Sequence, residues 1–196
     1  MKSSKSSSPG ESGRSATTDR LDRLLEAIAS KEPAPASGSA AAAVVAAAAA
    51  LLEKCSRLSA RQWADAGSAL DEAHALRMRA EELVEHDVHA YLSFVESVRS
   101  GEGVEDARAK TVDVPLEVGR AAAAVSELAE RLARNGNPKL RADAVVAAIL
   151  AAAAAESVAY LVDVNLGAGR DRRSDEARAI ALRAFERSRT IRPPAS

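Results

Sequence analysis

Aromatic side chains are scarce in this chain: two Phe, two Tyr and one Trp among 196 residues. No segment alternates apolar and polar residues with a period of two, so a sheet lacks both its usual pattern and its usual residues. Cysteine occurs once, as Cys55, which excludes an internal disulfide and fits a reducing, cytoplasmic setting. Excess charge of one sign is missing as well. Lys and Arg number 27 against 28 Asp and Glu, a net charge of -1, so no field is present that would hold nucleic acid or an acidic membrane surface. The longest apolar runs, 40–52 and 144–155, are shorter than the ~20 residues of a membrane span, and neither is expected to cross one. A Gly-rich phosphate loop, CxxC and HExxH are all absent, which disfavours the most familiar enzyme classes.

Alanine is what the chain has in quantity, about a quarter of all residues, and it is the strongest helix former. The expected fold is all-α, an Ala-rich bundle of about six helices. "DRLDRLLEAIAS" sets Leu21, Leu24, Leu25 and Ile28 at helical spacing, and Pro33 with Pro35 interrupts it. Further helices are expected from about Ser39 to Leu58, Trp63 to Val98, Leu140 to Leu166 and Ser174 to Arg189. Between them, "SGEG" reads as a turn, and "VDVPLEV" reads as a helix start with Pro115 and Glu117 in the first turn, closing at "NGNP". Residues 1–18 are Ser-rich and read as a disordered tail, which leaves 19–192 as one helical domain. Because a buried alanine methyl contributes far less than the ~1.5–3 kcal/mol of a buried Leu or Val, burial is expected to be completed between subunits of a symmetric homodimer.

Two carboxylates stand out. On the third helix, Val84, Val88, Tyr91, Val95 and Val98 form an apolar stripe, and Asp87 falls about 60° from its centre while His86 and His89 point away. An inward Asp87 is either a site carboxylate or an aspartate bonded to a neighbouring helix. The histidine pair has no third ligand nearby, so no metal site is assigned. On the fifth helix Asp143 shares a face with Leu150 and Leu161; it either belongs to a polar pocket or is paired near the helix start. Glu156, close in azimuth to Ile149, needs a partner or a raised pKa if it faces inward. Cys55 reads as a small buried thiol. The run "EPAPASGSAAAAVVAAAAALLEK" places bare backbone N–H groups and small residues at a helix start, which suits either an anionic, flat ligand or merely an N-cap from Ser37 or Ser39.

The ordered set "KEPAPASGSAAA", "DVHAYLSFV", "VPLEVG", "GNPKLRADAVVAA" and "VDVNL" resembles the cyclodeaminase/cyclohydrolase family over about residues 20–190. The resemblance implies an all-helical homodimer acting on a one-carbon unit carried by tetrahydrofolate, with no permanently bound cofactor. Pro33, Pro35, Gly38 and Ser39 match the family's turn, Asp87 and Asp143 its two aspartates, and Asn165 its late Asn-Leu. Asp87 and Asp143 are thus the expected acid/base or cation-stabilising groups, and Ser37, Gly38, Ser39 and Asn165 the expected folate-binding residues. The implied reaction is hydrolysis of 5,10-methenyltetrahydrofolate to 10-formyltetrahydrofolate or cyclodeamination of 5-formiminotetrahydrofolate. Two elements differ from the family pattern: its triple glycine reads Ala36, Ser37, Gly38, and its Leu-Pro-Lys element reads "VRSGEG", which has no lysine and leaves Lys110 or Arg99 as the alternative substitutes. The alternative from another class is an inactive helical dimerisation module on the same scaffold.

Overall fold

A computed structural model of the chain describes residues 16–167 and 171–192, with side chains from residue 21 onward. The expected Ser-rich tail lies largely outside the described residues. The described residues fall into two compact units that divide between residues 32 and 33. The first contains α1 (Ala16–Ile28), whose Leu21 and Leu25 are exposed. The second is a bundle of α2 (Ser37–Arg57), α3 (Ala66–Ser100), α4 (Val104–Asn135), α5 (Arg141–Leu166) and α6 (Arg172–Thr190), with a single 3-10 turn at Pro138–Leu140. No strand occurs among the described residues.

Alanine determines how the bundle packs. The buried face of α2 is made of Ala41, Ala42, Val45, Ala48, Ala49 and Leu52, and α5 meets it with an almost unbroken alanine surface. Small side chains let neighbouring axes approach, and at Gly119 a single added methyl would already stand 3.2 Å from Val158. Helices α2 and α5, the latter with its preceding turn, are long and apolar enough by length and composition to cross a membrane, which the shorter runs in the sequence do not suggest. Half of each apolar window is buried inside the bundle, as core helices require. Ion pairs such as Arg120–Glu176 and Arg187–Glu127, both 2.8 Å, tie α4 to α6 along the surface; exposed pairs of this kind contribute ~0–1 kcal/mol each and mainly hold register.

Two expectations fail on α3 and α4. The stripe Val84–Val98 is not the buried face: Tyr91, Val95 and Val98 are exposed, and the buried line is Ala73, Ala80, Leu83 and Ala90. Alanine carries too little hydrophobicity to compete with valine in a periodicity count, although it is the residue that fits. Helix α4 begins at Val104, immediately after the left-handed Gly101 and Gly103, so Pro115 lies well inside it rather than in its first turn. Glu105 and Asp106 supply the acidic first turn instead.

An interior proline has a structural cost here that another residue offsets. Pro115 has no N–H to donate to the carbonyl four residues back, which is that of the buried Thr111. Asn165 Nδ2 on α5 donates to that oxygen at 2.7 Å. We expect Asn165→Leu to destabilise the fold by about 1–3 kcal/mol, because the released carbonyl is left unpaired. In a Pro115→Ala background, where the backbone at position 115 regains its N–H, the same change should cost less. Urea denaturation of the four variants would read this as a coupling of at least ~0.5 kcal/mol, whereas strict additivity would disprove the relation.

Candidate active site

Helix α2 starts at Ser37 with Ala36 as its N-cap residue, and no side chain of the chain's own turn caps it. Neither Ser37 nor Ser39 acts as an N-cap. The group that meets the helix start comes from α3: Asp87 accepts a 2.8 Å hydrogen bond from the Ser39 hydroxyl and a further one from the Ser39 N–H. A carboxylate at this point is favoured by the free N–H groups and by the helix dipole. Gly38 is buried under the same carboxylate, where a Cβ would lie 2.1 Å from Asp87 Oδ1. The anion that the sequence reading assigns to a ligand at this helix start is therefore the protein's own Asp87. His86 and His89 are exposed, as expected, and Asp87 is half-buried. Burial pushes its carboxyl above the usual range, and the two Ser39 hydrogen bonds hold back part of the rise.

Helix α3 continues thirteen residues past Asp87 to Ser100, about 20 Å beyond the start of α2. Tyr91 and Phe94 lie on the same face as Asp87, at spacings of four and seven. They line a cleft of about 200 Å³ together with Arg108, Thr111, Val164 and Asn165. Arg108 lies over the Phe94 ring at 5.9 Å and has no carboxylate partner among the described residues. A second cleft of about 200 Å³ reaches Arg108 and Asn165 from the α6 side, past Arg173. Of the expected site residues, Ser37, Gly38, Ser39, Asp87 and Asn165 all fall at this end of the bundle. Ser37 is exposed and makes no described contact. Asn165 lines the cleft, and its Nδ2 is engaged by Thr111.

Asp143 does not join them. It pairs with Lys54 at 3.1 Å near the far end of α2, fifteen residues from Ser39 and so about 22 Å away along the helix. Within one chain the two aspartates do not open into a common cleft. Azimuth on a helix face is legible from spacing, but height along the bundle depends on which helix ends meet. Glu156 is exposed rather than inward and borders a groove with Leu182 and Phe185 of α6. Cys55 is buried, and its thiol is pushed up to about 11, first by burial and then by Asp143. Lys110 faces His86, His89 and Ser93 across a shallow cleft, and Arg99 pairs with Glu96 on the surface. No group of three metal-ligating side chains occurs among the described residues.

Sequence reasoning passed over Phe94 and Arg108 as site residues. Their signal was available: an aromatic seven residues after Asp87, and an arginine just after the glycine turn that folds α4 back onto α3. Gly38→Ala tests how tightly the start of α2 is fitted to Asp87. We expect a loss of about 1–3 kcal/mol from overpacking, because Asp87 must leave Ser39. Thermal denaturation of Gly38→Ala beside Gly67→Ala, a position with open space around it, would separate the clash from general glycine effects.

Comparison with known proteins follows the same architecture. The formiminotransferase-cyclodeaminase family profile matches residues 20–181. A methenyltetrahydrofolate cyclohydrolase of Methylorubrum extorquens is 29% identical over 180 residues, covering 83% of this chain and 86% of that protein. The crystal structure of a formiminotetrahydrofolate cyclodeaminase from Thermotoga maritima superposes with a TM-score of 0.80 at 22% identity, over 87% of this chain and 94% of that one. The bundle is thus the cyclodeaminase fold, and the chain belongs to the formiminotransferase-cyclodeaminase family.

Proposed function

We propose that this protein is a cytoplasmic, homodimeric enzyme of folate one-carbon metabolism that hydrolyses 5,10-methenyltetrahydrofolate to 10-formyltetrahydrofolate, with Asp87 as its acid/base group. The observation that carries the reading is the Asp87 carboxyl: half-buried, raised in pKa, fixed by Ser39, and one helical turn from the aromatic cleft. The match to a cyclohydrolase over 83% of the chain favours hydrolysis as the reaction. The dimeric state is supported by apolar surface that one chain leaves open, including Tyr160 and Val164 on α5 and Leu182 and Phe185 on α6.

The reaction suits these groups. Water attacks the cationic amidinium carbon between the two folate nitrogens and gives a proton to Asp87, and the resulting hydroxyl carbon then expels one nitrogen. That nitrogen takes up a proton, the hydroxyl loses its own to become the formyl oxygen, and one proton is released overall. A carboxylate near the cation also lowers the energy of its approach, and a raised pKa makes Asp87 a stronger base than an exposed aspartate. Tyr91 and Phe94 offer faces for the flat rings of a folate, and Arg108 a cation for its carboxylates. Ser39 holds the carboxyl in place. No bound cofactor enters these steps.

The test is the decay of methenyltetrahydrofolate absorbance, corrected for spontaneous hydrolysis. Wild-type protein should accelerate it, and Asp87→Asn should lower kcat at least about 100-fold, the usual share of a general base. Folding should survive that change, since the amide oxygen still accepts from Ser39. A carboxyl whose pKa rises on folding costs stability at pH above that pKa and nothing below its unfolded value, so the variant should match or exceed the wild-type Tm at neutral pH. Acceleration by both proteins alike would refute the role of Asp87. A wild type that neither binds nor turns over the folate would leave the inactive module.

The pH profile carries a second prediction. Asp87 acts as a base only when ionised, so kcat should fall as pH drops through its pKa. Ser39→Ala removes a hydrogen bond that favours the carboxylate, which raises that pKa further. The acid limb of the kcat profile should therefore move to higher pH in Ser39→Ala. An unmoved or lower limb would show that another group controls it.

A further inference from the structure

We propose that His86, His89, Ser93 and Lys110 form a second binding site, on the seam between α3 and α4, for the phosphoryl dianion of inorganic phosphate or of a phosphomonoester. The proposal stands apart from the folate reading. On α3 the spacing 86, 89, 93 places the two imidazoles and the hydroxyl within an arc of about 60°. Lys110 and Val114 face them from α4, and together they line a cleft of about 210 Å³. Its base is the buried Ala90, whose single methyl leaves a recess between the helices where a larger residue would fill the seam. Asp87 lies about 130° further round α3 than this group, so the cleft is separate from the contact at the start of α2.

Charge decides the kind of ligand. The cations of α3 and α4 are matched almost throughout: Arg77, Arg79, Arg99, Arg120, Arg131 and Arg134 each meet a carboxylate. Along the next stretch of the same seam, Arg79 is held by Glu117 and Arg120 by Glu176. Two cations are left on these helices, Arg108 and Lys110, and the first lines the aromatic cleft. Lys110 has carboxylates within a turn, yet Asp113 is engaged by Arg173 at 2.9 Å and Asp106 makes no ion pair. On α3, Glu82 is engaged by Arg79 at 3.2 Å, and Glu85 makes no ion pair either. No carboxylate lines the cleft. His86, His89 and Ser93 have no hydrogen-bond partner among the described residues.

A metal ion is disfavoured by the lysine, which would repel it, and by the lack of a third ligand. An anion is favoured, because ammonium, imidazole N–H and hydroxyl all donate. Four side chains arriving from two helices suit a tetrahedral oxyanion, whose oxygens point in several directions, better than a planar carboxylate. Its charge of about -1.5 to -2 also strengthens each bond.

Imidazole NMR reads the site directly, since the chain has three histidines and His74 stands elsewhere, beside Glu53 and Arg77. Inorganic phosphate is titrated against chloride at fixed pH and ionic strength, with His86→Gln and His89→Gln to assign the signals. The His86 and His89 signals should move together along one saturating curve while that of His74 stays. Lys110→Ala should weaken binding about 10-fold or more, as the loss of one hydrogen bond to a charged group does. Lys110 is exposed, so an unchanged Tm should accompany its loss. Arg108→Gln should leave phosphate binding as it is. Methyl phosphate separates the two sources: binding as tight as that of phosphate assigns the site to phosphomonoesters, and binding at least ~10-fold weaker assigns it to the free ion. The proposal is overturned by a titration without saturation, by an equal shift of His74, by an equal response to acetate, or by dependence on Arg108 in place of Lys110.

Discussion

A single carboxylate placed against the first turn of a helix from another element organises this end of the protein. Asp87 takes the Ser39 N–H and hydroxyl at once, and in doing so it does for α2 what a cap residue in the chain's own turn does elsewhere. The contact excludes a side chain at position 38. It also sets the relative height of α2 and α3, and so leaves the last four turns of α3 overhanging the start of α2. That overhang is the wall of the cleft. One hydrogen-bonded contact therefore links a local backbone requirement to the shape of the site and to the proton affinity of the group that would act there.

Alanine provides the setting in which so small a contact can matter. Cores of larger side chains tolerate shifts of helix height by repacking, but surfaces of methyl groups have little relief to interlock. Polar contacts between helices then take over the task of fixing register: Asp87 with Ser39, Asn165 with the Thr111 carbonyl, Lys54 with Asp143. Each lies where a helix begins, ends or is broken by proline, the places where backbone groups lack partners. Individually such bonds are worth ~0.5–1.5 kcal/mol, and their value here is positional.

The class of fold was legible because composition alone decides it, and helix ends were legible wherever proline, glycine and acidic residues cluster. The start of α4 was misread because Pro115 looks like a first-turn proline, and nothing local says that Asn165, fifty residues later, will satisfy the carbonyl it frees. The inward direction of Asp87 was read correctly from the wrong stripe: valines mark an exposed flank of α3, and the alanines beside Asp87 mark the buried one. Of the site residues, those near the start of α2 came from a helix-start signal and from the family pattern. Phe94 and Arg108 have no motif of their own, since they meet only after the glycine turn reverses the chain.

The position of Asp143 shows most clearly what a single chain leaves open. A carboxylate that resembles a site residue in the family pattern lies at the wrong end of the bundle, paired with a lysine and next to an uncovered apolar stripe. In this chain its task is structural: Lys54 and Asp143 join α2 to α5 at one end of α2, as Asp87 and Ser39 join α2 to α3 at the other. A carboxylate near a helix start is favoured by the free N–H groups whether or not a ligand is near, so a family pattern that marks a residue does not by itself say which end of the bundle it serves.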